Sequence, residues 1–153
     1  MPSRLGPLLV LIGGLGLFVV SLRTWYAVDL AKLPGGVRVA EQVAHMQHFA
    51  STANGWEPWG LLSDVILFLV IAIAVAAGVA GLTTRRADPR VAFAAALAGL
   101  VGIVLNALHL IDEPQPSALV TVRPSAWLSV AACGLIVLGG GRWFDRLSAA
   151  LRG

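Results

Sequence analysis

The sequence predicts an all-α integral membrane protein: a four-helix bundle with both termini cytoplasmic and one long outer loop between helices 1 and 2. Three observations predict it. The 153 residues are 58% hydrophobic and only 12% charged, with a mean hydropathy of +0.83, whereas soluble domains carry about a quarter charged residues. Four stretches free of Asp, Glu, Lys and Arg each have the length an α-helix needs to cross about 30 Å of hydrocarbon. The arginines crowd onto alternate connections between those stretches. A chain this short reads as a single domain, residues 1–153.

The uncharged stretches are 5–22, 65–84, 91–111 and 124–141, and the spans are expected at about 5–22, 60–84, 91–111 and 124–141. Helices are required because lipid cannot hydrogen-bond an open backbone. Arg4 ahead of an apolar centre also fits a signal peptide. The exit "VVSLRTWYA" lacks a small-x-small cleavage site, however, so the first helix is expected to be retained. Orientation follows from the basic residues near the helix ends. Arg4, then Arg85, Arg86 and Arg90, then Arg142, Arg146 and Arg152 share one side. Arg23, Lys32, Arg38 and Arg123 are spread over the other, which is acidic on balance. The first side is expected to be cytoplasmic. Trp25, Trp56, Trp59 and Trp127 would then anchor the outer interface, and Trp143 the inner one.

The connections differ in kind. "TTRRADPR" is a short charged turn that makes helices 2 and 3 antiparallel neighbours. "DEPQPSALVTVRP" is an outer loop stiffened by Pro114 and Pro116. The first outer loop, about 23–58, is the long one, and long ordered loops are usually functional. "LPGG" breaks it, and Val37–Phe49 then reads as a short amphipathic helix with Val39, Val43 and Met46 on one face. The tail 142–153 is amphipathic and is expected to lie along the inner membrane surface. Small residues recur at Gly13, Gly14 and Gly16; at Ala74, Gly78 and Gly81; at Ala95, Gly99 and Gly102; and at Gly134. Such stripes let helix backbones approach closely in lipid.

Two constellations could carry chemistry. In "EQVAHMQHF", Glu41, His45 and His48 stand at i, i+4 and i+7, on one face of a helix, and could supply three metal ligands. The motif is not HExxH and has no adjacent carboxylate placed as a base, so a solvated helix face is the competing reading. Asp64, Asn106 and His109 fall at similar depths from the outer ends of helices 2 and 3, and an ionisable residue inside a span marks a candidate functional site. The competing reading is a polar layer that caps helix 2 and fixes helix register, with Ser63 as a second capping candidate.

Several classes are excluded. Cys133 is the single cysteine, so thiol exchange and cysteine-pair zinc sites are absent; it reads as a buried, inert side chain. There is no Gly-rich phosphate loop, no GxSxG, and no histidine pairing for haem within the spans. No basic, aromatic-interleaved face points to nucleic acid. No cofactor is expected.

"LRTWYAVDL", "NGWEPWGLLSDVILFLV", the Arg-rich inner turn, "RPSAWLSV" and "GGGRWF" together resemble a broad set of small actinobacterial four-span membrane proteins. The resemblance covers most of the chain. It implies topology and carries over no activity and no site residue. Four spans with a large first outer loop are also similar to claudin-type proteins in architecture, without their loop cysteine pair or Gly-Leu-Trp signature. The expectation is a non-enzymatic protein of a bacterial plasma membrane. It would be an accessory or scaffold subunit, its partners the lipid bilayer and a membrane protein or further copies of itself. The alternatives are a small-molecule, lipid or ion-handling protein using Asp64, Asn106 and His109, and an outward-facing metal binder using Glu41, His45 and His48.

Overall fold

The computed structural model describes residues 4–28, 52–56, 60–84, 88–112 and 120–152. Four helices dominate: α1 (Leu5–Ser21), α2 (Leu61–Thr83), α3 (Pro89–Ile111) and α4 (Pro124–Arg152). Three of them, α2, α3 and α4, are long and apolar enough to cross a membrane; α1 is apolar but spans 17 residues, about 26 Å at 1.5 Å per residue.

The helix ends follow local chemistry. Gly60 precedes α2 with φ +80°, a left-handed conformation that glycine adopts without Cβ strain. Asp88 caps α3, its carboxylate accepting the Arg90 backbone N–H at 2.8 Å, and Pro89 fills the first helical position, where its missing N–H costs nothing. The expected inner tail is not a separate surface element. α4 runs unbroken to Arg152, and Phe144 packs against Phe93 of α3 with ring centroids 6.0 Å apart. Phe144 of the tail is thus used against α3.

The chain is mostly helical, as expected, and to the four helices the structure adds a three-stranded antiparallel sheet. Its order is β2–β1–β3, with β1 (Thr24–Val28) between β2 (Thr52–Asn54) and β3 (Val120–Val122). Tyr26 pairs with Ala53 on one side and Val122 on the other. The register slips between Thr24 and Tyr26, a bulge at Trp25. A regular strand alternates its faces, but here Trp25, Tyr26 and Ala27 are all buried, because a bulge re-aims a side chain. β1 and β3 are built from aromatic and β-branched residues that favour strands. Three-residue β2 and β3 are too short to show an alternating pattern in sequence. The sheet lies where α1 ends and α2 and α4 begin. The amphipathic helix expected over Val37–Phe49 lies outside the described residues.

The helices pack in the pairs α1–α2, α2–α3, α3–α4 and α4–α1. Three of these seams are lined by glycine. A Cβ on Gly13 would come within 2.7 Å of Ile136 and 2.8 Å of the Ala132 carbonyl. One on Gly78 would meet the Leu11 backbone, one on Gly99 the Val137 backbone, and one on Gly140 the Ala96 backbone. Large apolar residues face outward instead: Phe68 is 61% exposed and Val104 60%. Only a third of the most apolar part of α2 is buried inside the protein. Glycine at the seams and many large apolar side chains on the outside suit helices associating within lipid, where tails are as apolar as leucine. By length and composition, three of the helices are candidate membrane spans.

Candidate functional site

The polar chemistry concentrates at the sheet end. Ser21, the last residue of α1, is fully buried. Its hydroxyl donates to the Phe18 carbonyl at 2.7 Å and accepts from Trp56 Nε1 at 3.0 Å. Its carbonyl accepts the Gly55 N–H at 3.0 Å. Gly55 lies flat on Trp25, where a Cβ would come within 2.8 Å of the indole. Trp25 is buried and donates Nε1 to the Val20 carbonyl at 2.8 Å. Its backbone carbonyl accepts the Arg123 N–H at 2.7 Å, and Ser125 Oγ donates to the Thr24 carbonyl. β1 is therefore tied to α1 and to the start of α4.

His109 is the centre of this end, 3% exposed. It lies in the last turn of α3, where carbonyls have no intrahelical partner. Tyr26 supplies one: its hydroxyl donates to the His109 carbonyl at 2.6 Å. The imidazole lies 6.3 Å from the Trp25 ring, tilted by 59°, and its Nε2 is 3.3 Å from Ser63 Oγ on α2. Asp64, next to Ser63, is close enough to act on the ring electrostatically. Its Oδ1 is buried and makes no hydrogen bond among the described residues.

Asn106, one turn deeper, turns to a different helix. Its amide donates to the Gly102 carbonyl at 2.7 Å and lies 3.6 Å from Cys133 Sγ; its oxygen accepts from Ser129 Oγ at 2.8 Å. The single Ser129 hydroxyl hydrogen is shared with the Ala126 carbonyl, 2.6 Å from Oγ. The structure thus brings Asp64 and His109 together at the α2–α3 seam and directs Asn106 to α4. Ser63, expected as a possible cap, bonds His109 instead. Ser129 is a partner that sequence reading missed, although it and Asn106 both lie about 7 Å inside their helices at 1.5 Å per residue. That equal depth is a usable signal. Tyr26 was also missed as a helix-terminus donor.

The aromatic anchors divide. Trp127 is 62% exposed and Trp56 half-buried. Trp25 and Trp143 are interior residues, with Trp143 stacked where Gly6 and Gly81 leave room for an indole. Neither presents its ring to an interface. Trp59, Glu41, His45 and His48 lie outside the described residues. Among the described residues no three His, Cys, Asp or Glu side chains gather to hold a metal.

Two grooves run along the α2–α3 seam on the outside of the protein, of about 340 and 350 Å³. Their lining side chains are all apolar and none belongs to the His109 cluster. The arrangement at His109 is a braced junction of three elements, β1, α2 and α3. Its chemistry is hydrogen bonding between chain segments, with the Asp64 carboxylate nearby. Comparison with family models, curated proteins and solved structures gives no match.

Proposed function

We propose that this chain is a non-enzymatic accessory or scaffold subunit of a bacterial plasma membrane, of the small actinobacterial four-span type. All four helices span the bilayer as one bundle, both termini are cytoplasmic, and the sheet end faces outward. A partner membrane protein is held through the outer segment or a helix face. The observation that carries this reading is the division of the molecule. Its interior is closed by glycine contacts and its buried polar groups mostly bond one another. Yet residues 29–51 join two neighbouring strands of a rigidly tied sheet. A rigid scaffold carrying a long connection is an arrangement on which binding surfaces are built.

The test is affinity capture from native membranes in gentle detergent, compared with a variant in which residues 29–51 are replaced by a short Gly/Ser linker. One stoichiometric membrane protein that co-purifies with the natural chain and is lost from the variant is the expected result. A chain that purifies alone, or with the same companions in both forms, overturns it. For orientation, Thr52→Cys should label with an impermeant reagent from outside and Ala87→Cys should not.

A second reading is favoured by the Asp64 carboxylate, buried at Oδ1 beside His109. In it, the sheet end handles a small cation or cationic ligand. Asp64→Asn then abolishes ligand binding or transport with folding intact. If the same variant instead only lowers stability, Asp64 is structural.

A further inference from the structure

We infer that the groove at the Arg90 end of the α2–α3 seam binds one acyl chain of an anionic phospholipid, with Arg90 holding its phosphate. The inference rests on the helices spanning a bilayer and needs no protein partner. The α2–α3 seam differs from the other three. They close on glycine against backbone, whereas here the tightest glycine approach is Gly102 to Val70 Cγ1 at 3.1 Å. The helices are held apart by side chains, and the space left outside is a groove walled by Leu69, Ile73, Ala94, Leu97, Ala98 and Val101.

Position and charge choose the occupant. Along α3 the groove runs from Ala94 to Val101, about 7 to 18 Å beyond Pro89 at 1.5 Å per residue. That is the depth of one leaflet, since half of a 30 Å core is about 15 Å. A chain entering from the Arg90 side would end where the groove does. Arg90 stands at i−4 from Ala94 and i−7 from Leu97, on the same helix face. It is exposed and makes no side-chain ion pair among the described residues. Helical side chains lean toward the N-terminus, so its guanidinium points out of the hydrocarbon toward the headgroups. It also stands at the positive end of the α3 dipole, where a lone cation is disfavoured and an anion is welcome. Asp88 is the neighbouring acid; its Oδ1 accepts the Arg90 backbone N–H, and no ion pair joins it to the Arg90 guanidinium among the described residues. The second groove, from Leu100 to Leu108, lacks this mouth. At that end the charges on α2 and α3 are Asp64 and Asp112, both acids.

The test uses purified full-length chain in detergent, with added phosphatidylglycerol or phosphatidylcholine counted by native mass spectrometry. The natural chain should retain one phosphatidylglycerol with a preference of about fivefold over phosphatidylcholine, the size one basic residue at a membrane surface supplies. Arg90→Gln should abolish the preference and Arg90→Lys should keep most of it. Ala94→Phe, which fills the groove, should reduce retention of both lipids several-fold with Arg90 intact. Leu97→Trp on the same wall should do likewise, and replaces it if that variant lacks a cooperative melt. Equal retention of the two lipids by the natural chain overturns the inference, as does an unchanged preference in Arg90→Gln. Full retention in the groove-filling variants also overturns it, because the lipid would then sit on the basic surface alone.

Discussion

Where α1 meets α4, Gly6, Gly13 and Gly139 bring backbones so close that a Cβ would sit 2.7–2.8 Å from its neighbours. At the sheet end the same two helices are joined through Trp25, Ser21 and Arg123, by an indole and a set of hydrogen bonds. The contrast follows from solvent. Within lipid no hydrophobic force draws apolar helices together, so association depends on shape and small residues. At the sheet end, rings leave water on burial and backbone groups need partners, so the ordinary rules of a soluble core apply. One chain is folded by two sets of forces, and each should fail in its own way.

The largest effect should come from Trp25→Ala. It empties the centre of the sheet-end cluster, where Trp→Ala typically costs about 3–5 kcal/mol. The chain should melt earlier, and Ser21 and Trp56 should lose their order. The helices should stay associated, because the glycine seams are untouched. Thermal unfolding in detergent, with hydrogen exchange at the sheet and at mid-helix, separates these outcomes. Equal loss of protection in both places would mean that the two regions fold as one unit.

Gly13→Leu attacks the other region. Overpacking of this kind costs about 1–3 kcal/mol, occasionally more. The displaced backbone here is the α4 segment at Ala132 and Ile136, which cannot move without shifting the whole seam. Protection should fall at mid-helix first, with the Tyr26–His109 bond kept. A smaller effect is expected for Ser129→Ala, which strips Asn106 Oδ1 of its hydroxyl donor. Interhelical hydrogen bonds in membranes average about 0.6 kcal/mol. A loss several times larger would show that Asn106 and Ser129 behave like a buried pair in a soluble core, and would weaken the two-region distinction.

The helices were legible because their signal is long and unbroken: four apolar stretches bounded by charge. The sheet was not. Two of its strands have three residues, and in β1 a bulge replaces the alternation by which a strand is recognised. Aromatic residues near a helix end are also expected at a lipid interface, which hid the burial of Trp25. The site was half legible. Depth along the helices placed Asp64 and His109 together, but depth carries no angle. Whether Asn106 faced α2 or α4 depended on rotation about α3, and Ser129 settled it.

Rotation decides the smallest effect too. Gly99 and Gly134 both read as small residues of the helix stripes. In the structure a Cβ on Gly99 would come within 2.9 Å of the Val137 nitrogen, whereas one on Gly134 would meet nothing within 4 Å among the described residues. Gly134 points away from the seam. With no neighbour to displace, Gly134→Ala keeps only the gain in helix propensity, up to about 1 kcal/mol. Its melting temperature in detergent should match or slightly exceed that of the natural chain. Gly99→Ala, the same change on the facing helix of the same seam, should lower it, because the backbone of α4 must yield. If both variants destabilise alike, Gly134 has a neighbour outside the chain, and the face of α4 that carries it becomes the first place to look for a bound partner.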